Sequence, residues 1–313
     1  MIKYLAKRLA RSVITLIIII SIVFILLRLM PIEGYFQNFD KLTKEQIHTG
    51  IVNMGLDKPV LVQLKNFFIQ LLHGNLGVSR IYRANVPITK ILAGKIPISL
   101  TLGGISLILS LGFGIPLGTL MARSKGKFWD KSGTAFIVFI QAVPAAVYYL
   151  FIQVYGHEYL GFSMLFDKDN FVSWILPVVS LSLGNIAYYS MWLRRYMVDE
   201  GNKDYVKLAI AKGVSSKDIM MKHIFRNAFV PMIQYLPSSF LNTIVGSIYV
   251  ESLYSVPGMG GLLVDVVKRQ DNTMVQAIVV LFACVGILGL ILGDILMTMI
   301  DPRISFGKKG GAR

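Results

Sequence analysis

The chain has 313 residues, of which 54% are hydrophobic and 16% charged, and its mean hydropathy is +0.62. Soluble domains carry about 25% charged residues, so this composition excludes an ordinary soluble fold and points to an integral membrane protein. A net charge of +15 would suggest nucleic acid as the partner of a soluble chain; in a membrane protein it reflects cytoplasmic loops facing anionic lipid, so the bilayer is the expected partner and nucleic acid is not.

A helix needs about 20 apolar residues to cross a bilayer. The first apolar run covers residues 12–27. Arg28 can snorkel at its outer end, which carries the span to residue 30. Lys3, Lys7, Arg8 and Arg11 precede it, as in a secretory leader, but bulky "RLMPIEGYF" follows where small residues would mark cleavage, so the span is expected to stay. Residues 31–95 then form an external segment. In it, "KPVLVQLKNFFIQLLHGNLGVS" places Val60, Leu61, Leu64, Phe67, Phe68, Leu71 and Leu72 at helical spacing. This predicts an amphipathic helix on the membrane surface or over a cavity mouth, ended by Gly74 and Gly77. His73 has no second ligand at metal spacing, so no metal site is expected.

Five further charge-free runs follow, at residues 96–122, 132–157, 170–193, 227–250 and 272–293. The expected fold is therefore all-α integral membrane, with six transmembrane helices and a helical external segment after the first. Loop charges set its orientation. The N-terminal tail, the segment 122–132 (Arg123, Lys125, Lys127 and Lys131 against Asp130), the segment 194–226 and the tail "DPRISFGKKGGAR" are basic and read as inside. The segment 156–170, with Glu158, Asp167 and Asp169 against Lys168, reads as outside. Both termini are then cytoplasmic. The organisation is residues 1–30 as tail and first helix, 31–95 as external segment, and 96–313 as a core of five helices with a cytoplasmic loop at 194–230. The single cysteine, Cys284, lies in an apolar run and permits no intramolecular disulfide.

The cytoplasmic loop contains "DYVKLAIAKGVSSKDIMMKHIFRNAFVP", from Asp204 to Pro231. Tyr205, Leu208, Ala209 and Lys212 recur as on one helix face. Gly213 suits a left-handed helix stop, and Ser215 with Asp218 has the spacing of a capping box, with Asp in place of Glu or Gln. Ile219, Met220, His223 and Ile224 form a second stripe, and Asn227 to Pro231 leads into the next span. The pattern predicts a helical hairpin whose basic residues, Lys203, Lys207, Lys212, Lys217, Lys222 and Arg226, surround a small apolar surface. Such a tip suits a groove on a partner protein; a basic loop lying on lipid fits equally well.

Polar groups within spans usually face the bundle or a water-filled path. Gln141, Asn185, Gln234 and Asn242 are candidates for lining a path, with interhelical hydrogen bonding as the alternative. Pro116, Pro144 and Pro177 can kink helices near it. Glu251 and Asp294 are expected to be structurally paired, since no second acid or histidine completes a proton relay. Gly114 with Gly118, and Gly289 with Gly293, have the G-x-x-x-G spacing of close helix packing.

The quoted loop resembles the EAA-type cytoplasmic loop of ABC importer permeases, in its peptide/nickel branch. "VESLYSVPGMGGLLVDVVKRQD" resembles that branch's loop after the fifth span, "MIDPRI" its ending, and "MGLDKPVLVQ" with "HGNLGVS" its external region. Lys207 stands where the broad pattern has an acid, Leu208 replaces a small residue, "MPIEGYF" replaces a P-G-D-P stretch, and Gln141 is unusual in the third span. The resemblance implies the B permease of an oligopeptide or dipeptide importer in the bacterial cytoplasmic membrane. Its coupling loop would include Asp204, Tyr205, Ala209, Lys212, Gly213, Ser215, Asp218, His223, Arg226, Asn227 and Pro231. The implied partners are a second, homologous permease of C type, two cytoplasmic ATPase subunits and an extracellular solute-binding protein. ATP and magnesium would sit on the ATPases; this chain would hold no cofactor and do no covalent chemistry. No G-x-x-x-x-G-K-[ST] occurs in it. An ion-coupled secondary transporter is the alternative, although neither inverted repeats nor a chain of intramembrane acids supports it. His48, His73, His157 and His223 are scattered, so no catalytic set assembles for an intramembrane enzyme.

Overall fold

The computed structural model describes residues 2–300. The basic tail and all but the start of "MIDPRI" lie outside the described residues. Among those described there is no strand, only one isolated antiparallel bridge between Val78 and Pro87.

Helix α1 (Ile2–Arg28) is followed by short 3-10 turns and the pair α2 (Lys44–Met54) and α3 (Val60–Leu72). Thr43 and Gln46 close a capping box on α2, and Gly55 ends it in the left-handed region, at φ 67°. The amphipathic helix expected near residues 60–72 is α3. Helix α4 (Ile88–Arg123) is longer than its apolar run and contains Pro97 and Pro116. Then come α5 (Phe128–Ala142), α6 (Ala145–Leu160) and α7 (Val172–Gly201). The next segment holds α8 (Asp204–Ala211), α9 (Ser216–Asp218) and a π-helical stretch, Ile219–Phe225. Short helices α10 (Arg226–Ile233), α11 (Leu236–Val245), α12 (Ile248–Leu253) and α13 (Met259–Lys268) lead to α14 (Asn272–Ile300).

Four helices, α1, α4, α7 and α14, are long and apolar enough to cross a membrane. Two of the six expected spans are interrupted in the structure. The run 132–157 is two helices, α5 and α6, bent by 105° at Val143 and Pro144. A proline forces its predecessor into extended backbone, and Val143 sits at φ −87°, ψ 129°. The run 227–250 is not one helix but α10, α11 and the first half of α12. Gly246, at φ 73°, breaks it, and Ser247 caps α12 by accepting from the Val250 amide. Apolar length alone does not reveal such interruptions.

Small residues hold the core together. On α4 and α7, Ser110 Oγ donates to Ser106 O (2.6 Å) and Ser182 O (3.3 Å), while Ser182 Oγ donates to Ser106 O (3.2 Å). A Cβ at Gly118 would meet Ser190 O at 2.7 Å, so the α4 backbone rides directly on α7, as small-residue seams allow. Gly289 approaches Ser238 in the same way between α14 and α11. Both G-x-x-x-G pairs thus lie at helix contacts. Asp294 on α14 forms an ion pair with Arg8 of α1 and accepts from Gln234 Nε2 (3.0 Å). Buried Asp130 at the start of α5 pairs with Arg194 of α7, whose Nη2 lies 2.8 Å from Oδ2.

Candidate functional site

Two regions carry the expected functional residues: the hairpin of α8, α9 and the π-helical stretch, and a cavity between α4, α7, α11 and α12.

In the hairpin, Val206 and Ala209 are the buried side of α8, packed in one cluster with Ile219, Ile224, Leu193 and Met197. Helix α8 stops where Gly213 turns left-handed, at φ 73°. The Gly213 amide donates to Ile210 O (2.9 Å) and the Val214 amide to Ala209 O (3.2 Å), which is a Schellman closure. The next turn starts at Ser215, whose Oγ accepts from the Asp218 amide (3.1 Å). The expected box closes differently: Ser215 Oγ donates to the Asp218 carboxylate (2.8 Å) instead of the acid reaching back to the Ser215 amide. The two arms are tied by Tyr205, whose hydroxyl donates to Glu200 Oε1 (2.7 Å) and accepts from Asn227 Nδ2 (3.0 Å). Asn227 Nδ2 also donates to His223 O (2.9 Å). His223 is half-buried and Arg226 is exposed, while Pro231 lies within α10.

Burial pushes the Tyr205 hydroxyl up to about 12, and Glu200 adds to the shift. Lys207 holds Asp204 below the usual carboxylate range, and Lys222, helped by Ser215, does the same for Asp218. Around this frame Lys207, Lys212, Lys217, Lys222 and Arg226 are exposed. So are three large apolar side chains, Leu208 (55%), Ile210 (61%) and Met221 (47%). Ile210 and Met221 were not singled out by stripe counting, because they fall off the two stripes that were counted. The signal was an apolar residue off the stripe. Ala209, expected on one face with Tyr205, Leu208 and Lys212, is buried while those three are exposed.

The cavity, of about 210 Å³, is lined by Ser106, Asn185, Ser239, Asn242, Thr243 and Glu251 among others. Two of the four polar span residues, Asn185 and Asn242, come together here. Gln141 is elsewhere, exposed on α5 with Nε2 3.5 Å from Met191 Sδ, and Gln234 is engaged by Asp294. Glu251 is the cavity's one carboxylate and is buried. It accepts from Ser99 Oγ (2.7 Å) and the Gly261 amide (2.9 Å), and Ser99 Oγ in turn accepts from the Met259 amide (2.7 Å). A Cβ at Gly258 would fall 2.5 Å from both the Glu251 carboxyl carbon and Ser99 Oγ, so "VPGMGG" is glycine-rich because its backbone wraps a carboxylate. The cluster of Pro and Gly just after an acid in an apolar run was the available signal. Among the described residues no group of three or more metal-ligating side chains forms.

Residues 114–306 match the family described as "Binding-protein-dependent transport system inner membrane component", and residues 1–102 match its N-terminal companion. The chain belongs to this family. It is therefore a multi-pass component of the cytoplasmic membrane and a transport subunit. It is 32% identical over 304 residues to the dipeptide transport system permease protein DppB of Lactococcus lactis subsp. cremoris, covering 97% of this chain and 99% of that one. With the oligopeptide transport system permease protein AmiC of Streptococcus pneumoniae serotype 4 it is 39% identical over 212 residues, 67% of this chain; the match spans only 42% of that longer protein. The oligopeptide transport system permease protein OppB of Haemophilus influenzae is 28% identical over 309 residues, 98% of this chain and 100% of its own.

Proposed function

We propose that this chain is the pore-forming permease subunit of an ABC importer for oligopeptides or dipeptides. The observation that carries this reading is the cytoplasmic hairpin: a rigid, doubly capped frame presenting Leu208, Ile210 and Met221 within a ring of lysines. An apolar tip of this kind suits a groove on a separate ATPase subunit, and the relatives are named as peptide permeases. The hairpin packs against α7 and runs into α10. Closing of two ATPases on ATP and magnesium would therefore move the core helices as rigid bodies and alternate access to the path. The cavity holding Asn185, Asn242 and Glu251 is part of this path. Its other wall belongs to a homologous C-type permease, and an extracellular binding protein delivers the cargo. The relatives' names favour this over ion-coupled transport.

The test is co-purification of the assembled transporter with the native chain and with a Leu208→Asp/Ile210→Asp pair, scoring bound ATPase and uptake of a labelled peptide. Each buried apolar contact of this size is worth about 1–2 kcal/mol, so the pair should weaken association at least about thirtyfold. Uptake that persists without any associated ATPase would overturn the reading.

A further inference from the structure

A second, larger cavity of about 370 Å³ lies away from the path, between the end of α1, the external helices and the start of α14. Its volume is within the range of about 300–1,000 Å³ for small-molecule sites. Arg28, Lys58 and Arg80 line it, and among the described residues no Asp or Glu does. None of the three makes an ion pair among the described residues. Arg28 rests on the rings of Phe24 and Tyr35 and donates to the Tyr35 hydroxyl, but its Nε has no partner.

Two buried amides add to this. Gln63 on α3 is 9% exposed and Gln276 on α14 is 5% exposed, and both line the cavity. Gln63 Nε2 donates to Leu56 O (3.1 Å) and Lys58 O (2.7 Å), which fixes the amide and leaves Oε1 unpaired. Gln276 Nε2 is also unpaired. Buried polar atoms are rarely left without partners. Here two donors, one of them on Arg28, and an acceptor are left together, beside Lys58 and Arg80. Such a set fits a phosphate bearing a neighbouring hydroxyl: the charges and the Gln276 and Arg28 donors to the phosphate oxygens, and Gln63 Oε1 to the hydroxyl.

A lipid is favoured as the source of this group by the cavity's exit. It shares Arg28, Tyr35, Leu56, Lys58 and Gln63 with a side groove whose far wall is Met30, Ile32, Pro59 and Val60, with exposed Asp57 at its rim. Met30 and Val60 are exposed, as are neighbouring Leu29 and Leu61. Arg28 also ends the apolar stretch Lys7–Arg28, which sets it at headgroup depth. We propose that this cavity binds one anionic, hydroxyl-bearing phospholipid, its headgroup among Arg28, Lys58, Gln63 and Gln276 and its acyl chain leaving past Met30 and Val60.

The test uses the full chain in nanodiscs of phosphatidylcholine with a minor fraction of phosphatidylglycerol, read by native mass spectrometry. One phosphatidylglycerol should be retained in preference to phosphatidylcholine. Lys58→Gln/Arg80→Gln should reduce that preference about thirtyfold, the factor for two cations near an anionic headgroup, and Gln276→Leu should reduce it without changing charge. Unchanged melting of the variants in pure phosphatidylcholine shows that they fold. A photoactivatable phosphatidylglycerol on the native chain should label α1 and α3 around the groove, which keeps the test decisive if a variant fails to fold. No preference, equal retention by the variants, or labelling elsewhere would overturn the proposal. Displacement by inorganic phosphate would assign the site to a soluble anion and overturn its lipid identity.

Discussion

Asp271, fully buried just before α14, is the pin that fixes the segment between α3 and α4 to the core, and removing it gives a local, measurable opening. Its Oδ2 accepts from Ser79 Oγ (2.7 Å) and from the backbone amides of Arg80 (3.1 Å), Ile81 (3.0 Å) and Tyr82 (3.0 Å). Its Oδ1 accepts from Thr273 Oγ1 and the Met274 amide, both at 3.2 Å, so the same carboxylate also caps α14. Hydrogen bonds to a charged group are each worth about 1.5–3 kcal/mol, and they are not additive when one group makes them all. Asp271→Ala should therefore release the loop by about 3–4 kcal/mol, which at about 1.4 kcal/mol per decade is a loss of about 10²–10³ in amide protection. Asp271→Asn keeps one oxygen for the amide nest and should lose only about tenfold. The assay is hydrogen–deuterium exchange of the peptide covering residues 79–83 in nanodiscs, with α4 as internal reference. Unchanged protection of Arg80, Ile81 and Tyr82 in the Ala variant would refute the reasoning. An Asn variant as exposed as the Ala variant would show that charge alone, not geometry, holds the nest.

Gly118→Ala should destabilise the chain by about 1–3 kcal/mol in thermal melts, because its Cβ would lie 2.7 Å from the Ser190 carbonyl, whereas Gly286→Ala, with nothing within 4 Å, should be neutral or better. Asp130→Ala leaves Arg194, whose side chain is 30% exposed, without its partner and should cost about 1–3 kcal/mol; adding Arg194→Leu should recover most of the loss in the same melts. Gly213→Pro cannot adopt φ 73° and deletes the amide bond to Ile210 O, so it should expose the hairpin to limited proteolysis and uncouple ATP hydrolysis, while Gly213→Ala should cost only about 1–2 kcal/mol. Tyr205 is raised to about 12 when folded, against about 10 unfolded. The unfolded hairpin therefore loses this proton first, and hairpin stability should fall as pH rises from about 10 to 12; proteolytic nicking of the loop should increase across that window in the native chain and lose that dependence in Tyr205→Phe.

What was legible in the sequence follows from where each signal resides. Gly213, Ser215 and Asp218 act within a few residues of themselves, so the hairpin's reversal and cap could be read directly. The amphipathic α3 and the long helices α1, α4, α7 and α14 follow from local hydropathy. Continuity was less visible. A lipid-facing residue and a core residue are equally apolar, so composition could not report that the backbone breaks at Pro144 and Gly246. Those breaks are written in single residues: a proline that bars helix for Val143, and a glycine at φ 73° beside a carboxylate. Partners were the least legible. Ser99 meets Glu251, Ser79 meets Asp271, and Arg8 meets Asp294 across 152 residues or more, and no spacing rule connects such pairs. The same reason separates the polar span residues. Asn185 and Asn242 share a cavity wall while Gln234 is held by Asp294; all three looked alike because each is one polar side chain in an apolar run. A charge in a span implies that a partner exists, and Glu251 was expected to be paired, but only the folded chain shows that its partners are a serine and the backbone of "VPGMGG", not another charge.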